Sequence, residues 1–516
     1  MAIANRLRVA YPIVLVLGGL AVGFIPGVPT VALPPEVVLI LFLPGLLYWE
    51  SVSAPTSEFR AQIGPIVLLA VGLVIVTTAV VAVVAHALIP GMGWAVAFVL
   101  GAIVSSTDEV AFTPVAERLR LPRHVIAIIE GESLINDATS LVLYATAVSA
   151  VVSGSFSLWY ASLFFVIAVV GSIIVGVVAG WIVVRAWSVV RDSSLQTIIS
   201  LMAPFLSYLP AQALHISAVL ATVTTGLFVN RSSPFVLIPR ARMRAAGFWT
   251  TIVFVLNALI FVLAGMQCHA IMQSLPRFSY GTLLLYGAAM AATVIVVRIA
   301  WLAAQGFLGL ARFRGTEHQL WRHIAVESWC GMRGGVSLAA AFAIPLVAGR
   351  APFPNRDLII FLTFCVMIAT LVGQGGTLPI LIRWLHIRSD STDVKEESFA
   401  LSCTAKVAVE RLHELTREGK VSAANARWLE KRYAARQEAF GADAARSEPK
   451  LAALSDLFDV ERQMIDAERK ELVALRNRGT IDNTIMRRVQ MLLDLEDMKI
   501  DLVERKKRTD IDATEP

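Results

Sequence analysis

The stretch IIEGESLINDATSLVLY, residues 128–144, sets three acids and an asparagine into a run of otherwise apolar and small residues. Read as a helix starting near His124, it carries Asp137 about 20 Å along the axis at ~1.5 Å per residue, near the middle of a bilayer. An ionisable group at that depth is costly and is a functional candidate by default. Ser133 lies four residues before Asp137 on the same face, and Asn136 is one step round. Nothing structural requires an acid at position 137.

The rest of the chain makes the bilayer the natural setting. Of 516 residues, 56% are hydrophobic, and the mean hydropathy is +0.68. A water-soluble domain has little use for so much apolar sequence. Apolar stretches begin near Tyr11, Leu33, Gly64, Trp94, His124 and Leu158, and again near Leu195, Ile216, Gly247, Tyr280, Ile324 and Leu358. They predict an all-α polytopic membrane protein of about twelve spans, some interrupted by Gly or Pro. The basic lead before the first stretch is read as the flank of a retained helix, because no small-residue cleavage site follows it.

Charge orients the spans. Loops on one side hold Arg60, Arg118, Arg120, Arg123, Arg185, Arg191, Arg231, Arg240, Arg242, Arg244, Arg312, Arg314 and Arg322. The opposite loops hold Arg277, Arg350 and Arg356. By the positive-inside rule both termini are expected in the cytoplasm of a cell-membrane protein. The net charge of +6 is accounted for by these loops and calls for no nucleic acid. Cys268, Cys330, Cys365 and Cys403 show neither zinc-ligand nor redox spacing. No cofactor is expected.

Composition changes near Ser389, dividing a transmembrane domain, 1–388, from a charged tail, 389–516. Residues 400–422, 460–479 and 483–507 carry apolar residues at helical spacing and predict a small cytoplasmic bundle or a pairing surface for a second copy. A solvated set of helices with an apolar stripe fits the tail equally well, and no ligand or partner is named for it. The run HELTRE at 413–418 lacks the second histidine of a zinc site.

Three acids and two arginines stand at membrane depth. Glu50 ends the apolar run at 41–52, where it could instead be an interfacial residue. Asp108 lies in GAIVSSTDEVAFTP, residues 101–114, with Thr107 beside it and Pro114 near the far end. It could bind an ion through a locally unwound backbone, or cap a half-helix without touching one. A hard cation such as sodium prefers oxygen ligands of this kind. Burial disfavours the charged form of a carboxylate, so one such group can hold either a proton or a cation. Arg298 and Arg333 interrupt apolar runs and need partners. Glu132 is the natural counter-ion, with Arg298 favoured because both would lie in the cytoplasmic half. Arg333 adjoins Gly334 and Gly335, where a cation would offset the negative end of a half-helix. Two interrupted helices in corresponding halves point to a transporter site.

These stretches closely resemble the monovalent cation:proton antiporter family of bacterial, archaeal and eukaryotic sodium/proton exchangers. The matches are LFLPGLLYWE, STDEVA, EGESLINDATSLVLY, FWTTIVFVLNALIFVLAG, CGMRGGVSLA and VGQGGTLPILIRWL, in family order through the first 385 residues. The resemblance implies inverted repeats, a core domain moving against a dimerisation domain, and a homodimer in the lipid bilayer. It implies that Asp137 binds the monovalent cation and the proton, with Asp108, Thr107, Ser133, Asn136 and Glu50 around it. Glu132 and an intramembrane arginine would form a structural ion pair. An Asn136-Asp137 pair is the pattern of electroneutral, one-for-one members. The chain departs from the pattern at Glu109, where proline is usual, at Ala211-Gln212, where an acid is common, and at Thr250. Many members also carry one more N-terminal helix.

The function these readings imply is exchange of a monovalent cation, sodium first, for protons. Potassium/proton exchange is the alternative within the class, and an ion channel or sensor with a signalling tail is the alternative outside it. A Gly-x-Ser-x-Gly elbow and a histidine pair are both missing, so the chain does not read as an enzyme. If the tail is a separate regulatory unit, truncation after Ile387 changes the pH or ion dependence of transport more than its maximal rate. Loss of all transport by a truncated protein that expresses and assembles normally would rule that role out.

Overall fold

The computed structural model describes residues 11–25, 34–54, 59, 62–108, 112–113, 116, 121–154, 158–276, 278–308, 317–386, 392–422, 425–431 and 433, with scattered positions from 464 to 498. Glu109, Pro114, Arg6, Arg8, Arg60, Arg118, Arg120, Arg277, Arg312 and Arg314 lie outside them. The chain forms two compact units, residues 1–388 and 389–516.

In the first unit the apolar runs become helices, because a helix satisfies its own backbone where water cannot. In chain order they are α1 (Tyr11–Gly23), α2 (Pro35–Ser53), α3 (Ile63–Leu88), α4 (Trp94–Ser105), α5 (Arg123–Ser153) and α6 (Leu158–Val189). Then come α7 (Ser193–Ala213), α8 (Ala218–Val236), α9 (Pro239–Gln273), α10 (Tyr280–Phe307), α11 (Glu317–Trp329), α12 (Gly335–Phe342) and α13 (Arg356–Trp384). A short hairpin of β1 (Val347–Ala348) and β2 (Ala351–Pro352) joins α12 to α13. Among the described residues, seven helices are long and apolar enough to cross a membrane, and α1 and α4 are shorter apolar helices.

Local chemistry sets the breaks and caps. Asp192, Ser217 and Ser279 accept backbone N–H groups at the starts of α7, α8 and α10. Gly154 closes α5 in the left-handed conformation, at φ 68°. α3 and α13 each contain a π-helical turn, at Leu68–Leu73 and Ala369–Gln374. α9 starts at Pro239, ahead of the apolar run from Gly247, because the arginine-rich segment before that run continues the same helix.

Packing sorts the helices. α1 lies along α9, α6 along α8, and α2 on α8; α4 packs between α3 and α5. Gly19 and Gly265 allow the first of these contacts. A Cβ on Gly265 would sit 2.5 Å from the carbonyl oxygen of Val16 and 2.6 Å from the amide of Leu20. Small residues let helix backbones approach where lipid gives no hydrophobic drive to associate. α6 turns Val166, Ile167, Val170, Ile174 and Trp181 outward, an apolar face suited to lipid.

In the second unit α14 (Thr392–Arg417) is the principal described helix. Farther along, Ile465, Leu472 and Leu493 form a small buried cluster with Val489.

Gly265→Val is expected to force α1 and α9 apart and to destabilise the protein by about 1–3 kcal/mol, the usual cost of overpacking. Thermal unfolding of the detergent-solubilised protein measures it; an unchanged midpoint would show that the close approach is not needed.

Candidate functional site

α4 stops at Ser105 because Ser106 turns extended, at φ −65° and ψ 135°. The chain between α11 and α12 is likewise non-helical, and the two breaks lie against each other. The amide of Asp108 donates to the carbonyl of Met332 at 2.9 Å. In return the amide of Gly335, the first residue of α12, donates to Asp108 Oδ2 at 2.8 Å. Asp108 thus caps a half-helix, its negative charge at the positive end of the dipole. Gly334 must lack a side chain, because a Cβ there would overlap the Asp108 carboxylate.

Arg333 answers the opposite ends. Its Nε donates to the carbonyl of Val104, in the last turn of α4, at 2.8 Å. Its Nη1 donates to the carbonyl of Gly331, just beyond α11, at 2.5 Å. Its amide donates to Thr370 Oγ1 at 3.1 Å, in the π-helical turn of α13. The guanidinium therefore neutralises carbonyls freed by two helix ends.

α5 crosses this junction with its polar face inward. Ser133 Oγ donates to the carbonyl of Thr107 at 3.0 Å, and Asn136 Nδ2 donates to Thr107 Oγ1 at 2.5 Å. Thr107 Oγ1 in turn donates to Glu132 Oε1 at 3.3 Å. Glu132 meets Arg298 of α10 in a fork, with one arm, Nη2 to Oε2, at 2.7 Å. Arg298 Nε donates to the main-chain oxygen of Glu327 at 3.0 Å. Glu132 and Arg298 are each 1% exposed, so either charge would be strongly destabilising without the other.

Asp137 sits one turn farther along α5, 2% exposed. Ser106 Oγ donates to its carboxylate, and Ser140 Oγ donates to its main-chain oxygen at 3.0 Å. Among the described residues no arginine or lysine forms an ion pair with Asp137. Chemically the junction is a buried cluster of carboxylate, hydroxyl and carbonyl oxygens around Asp137.

The structure thus gathers Thr107, Asp108, Glu132, Ser133, Asn136, Asp137, Arg298 and Arg333 around the crossing. Glu50 is half-buried in the last turn and a half of α2. Its neighbours face other helices: Trp49 stacks on Trp249 of α9, and Ser51 lies against Gly226 of α8.

Four further residues join the crossing that the sequence reading passed over. Ser106 and Thr370 are ordinary hydroxyls until tertiary packing places them. Asn257 of α9 lies at the start of α12, its Oδ1 3.0 Å from where a Cβ of Gly335 would be. Its Nδ2 is buried without a hydrogen-bond partner among the described residues. A single amide within the run FVLNALIFV was a signal of its own. Glu327, buried beside Arg298, is the other.

Comparison with known proteins agrees with this architecture. Residues 1–384 match the family model described as sodium/hydrogen exchanger, transmembrane. A Mycobacterium tuberculosis protein named as an uncharacterized Na(+)/H(+) exchanger is 36% identical over 516 residues, covering 96% of this chain and 93% of that protein. A Bacillus subtilis protein named as a sodium, potassium, lithium and rubidium/H(+) antiporter is 32% identical over 397 residues, covering 73% of this chain and 59% of that one. The fold is similar to that of the sodium proton antiporter MjNhaP1 of Methanocaldococcus jannaschii, with a TM-score of 0.60 at 19% identity, over 74% of this chain and 94% of that chain. With its broken-helix crossing, its family match over most of the chain and a relative aligned almost end to end, the chain belongs to the sodium/hydrogen exchanger family.

Proposed function

We propose that the protein is a secondary antiporter of the cell membrane that exchanges sodium for protons by alternating access, one for one. The observation that carries this reading is Asp137. Among the described residues it is a buried carboxylate with a serine hydroxyl on its oxygens and no ion-pair partner, set where two broken helices supply further oxygens. Such a group is stable when it holds a proton or a cation and costly when it holds neither. Competition for that one carboxylate couples the two fluxes. Ser133, Thr107, Asn136 and Asp108 surround the cation, and the family resemblance adds Glu50 to the ion- and proton-binding set. Cation and proton are cargo; no resident cofactor takes part.

The other buried ionisable groups have a different role. Glu132, Arg298 and Arg333 hold the crossing in shape. The resemblance to the exchanger family supports a homodimer with both termini in the cytoplasm, a mobile core built on the crossing, and a regulatory tail from Ser389. Potassium is the second and less supported reading for the cation; the name of the Bacillus subtilis relative carries it beside sodium.

Two variants separate these roles. In proteoliposomes carrying a pH-sensitive dye, Asp137→Asn is expected to reduce sodium-evoked proton flux to background while unfolding at the wild-type temperature. Wild-type-like flux from that variant would remove Asp137 from the mechanism. Glu132→Gln is expected to lower stability by about 3–5 kcal/mol, since it leaves Arg298 buried without its counter-charge. Adding Arg298→Met to it should recover part of that loss in a thermal unfolding cycle. Simple additivity of the two changes would show that the pair does not act as a unit.

A further inference from the structure

The membrane helices fall into two packed groups. α3, α4, α5, α10, α11, α12 and α13 enclose the crossing, while α1 lies along α9 and α2, α6 and α7 pack on α8. α9 joins the second group through α7 and α2, and it also touches the first, against α12 and α13. In the proposed cycle the first group moves against the second. A side chain of α9 that reaches the crossing therefore meets it in only one part of the movement.

Asn257 is that side chain. It stands well inside the apolar run that starts at Gly247, about 15 Å along the helix at ~1.5 Å per residue, near the middle of a bilayer as Asp137 is. Ile260 and Phe261, one turn on and fully buried, lie with it against Gly335 at the start of α12. The amide of Gly335 donates to Asp108 Oδ2, so carboxamide and carboxylate meet at the same residue. Tyr11 of α1, its ring 5.4 Å from that of Phe254, is also within electrostatic reach of Asp108. Packing alone would be served at position 257 by an apolar residue like its neighbours. Asn257 is instead 2% exposed, with an Nδ2 that has no hydrogen-bond partner among the described residues, which costs stability. On the other helix group Asn136 Oδ1 is likewise buried and without a partner among the described residues. Two carboxamides with an unfilled end thus adjoin the crossing, one from each group. A carboxamide with a free end can turn Oδ1 to a cation, or Nδ2 to a carboxylate that the cation has left.

We propose that Asn257 is a cation-binding residue carried by the second helix group, its Oδ1 taking the cation beside Asp108 when the crossing lies against α9. The inference rests on the antiport reading for its cargo and for the movement of one group against the other. A hard cation stripped of water takes amide oxygens along with carboxylates and hydroxyls. The oxygens of Thr107, Asp108 and Asp137 travel with the crossing, whereas Asn257 stays behind on α9. The cation is therefore held more tightly where the carboxamide is within reach than where it is not. Asn257 thereby sets a difference in sodium affinity between the two ends of the cycle.

Leucine has nearly the shape of asparagine and no polar end, so Asn257→Leu removes the oxygen and the unpaired donor together. In detergent the variant is expected to unfold at the wild-type temperature or above, since an apolar group of the same shape replaces an unpaired polar one. Sodium chloride, compared with choline chloride at equal concentration, should raise the wild-type unfolding temperature. Asn257→Leu should need at least about fivefold more sodium for the same rise. In proteoliposomes its half-saturating sodium concentration should climb by the same factor, more than its maximal rate falls. Asn257→Asp, which keeps an oxygen at that place, should bind sodium better than Asn257→Leu; Asn257→Ala serves if leucine prevents folding. A Leu variant that unfolds early, with a sodium requirement no higher than that of the Asp variant, would make Asn257 a packing residue and overturn the proposal. Wild-type exchange with an unaltered half-saturation in Asn257→Leu would refute the role of Asn257 and leave antiport standing. A sodium-dependent rise that Asn257→Leu weakens, in protein that shows no sodium-evoked proton flux, would support the site and refute antiport.

Discussion

A helix that ends inside an apolar body leaves backbone groups that neither water nor its own next turn can satisfy. In this protein two helices do so side by side, and most of the polar structure of the membrane unit answers them. Arg333 takes the carbonyls freed at the ends of α4 and α11, and Asp108 takes the amide at the start of α12. Each charge stands at the dipole end it favours, so the two breaks stabilise each other. The Ser133 bond to Thr107 ties α5 to the same junction, and the Glu132–Arg298 fork ties α10. With these demands met by fixed partners, Asp137 is left with a hydroxyl that can move. The proposed exchange of a proton for a cation at Asp137 would need that kind of neighbour.

Much of this was legible in the residues. Apolar runs of bilayer length gave the helices, and acids within those runs marked the place where the chain does something other than pack. The glycine pair after Arg333 and the polar run around Asp108 marked the breaks, because neither segment makes a comfortable helix interior. Helix starts were less exact: α9 and α11 begin seven or eight residues before their apolar runs, since arginine and glutamate continue a helix beyond the greasy part. The π-helical turns in α3 and α13 leave no trace in composition. Leu68–Leu73 reads as any other apolar turn, although Thr370 in the second π-turn holds the amide of Arg333. Which residues meet across the crossing is a tertiary fact; the roles of Ser106 and Thr370 depend on helices more than thirty residues away.

The family relationship and the physical reading support each other from different directions. Similarity covers the membrane unit most strongly, with the family model ending at residue 384. The geometry explains why that portion is the one that travels together: its crossing is made from several separate stretches of chain, and none of them can cap, pair or fill alone. Asn257 and Glu327 illustrate the point. Each lies on a helix outside the two breaks, and each is buried against a residue of the crossing.

Close packing beside Asp137, where Ser106, Ser140, Tyr144 and Ser337 enclose space too narrow for a water molecule, has a bearing on energy conservation. Protons pass rapidly along chains of hydrogen-bonded water, and an aqueous filament reaching from one solution to the other would let them bypass the carrier. Unfilled space that cannot admit even one water molecule breaks such a filament. In an exchanger of the proposed kind, such a break would suppress slippage, so that an ion gradient across the membrane is not spent on uncoupled proton leak.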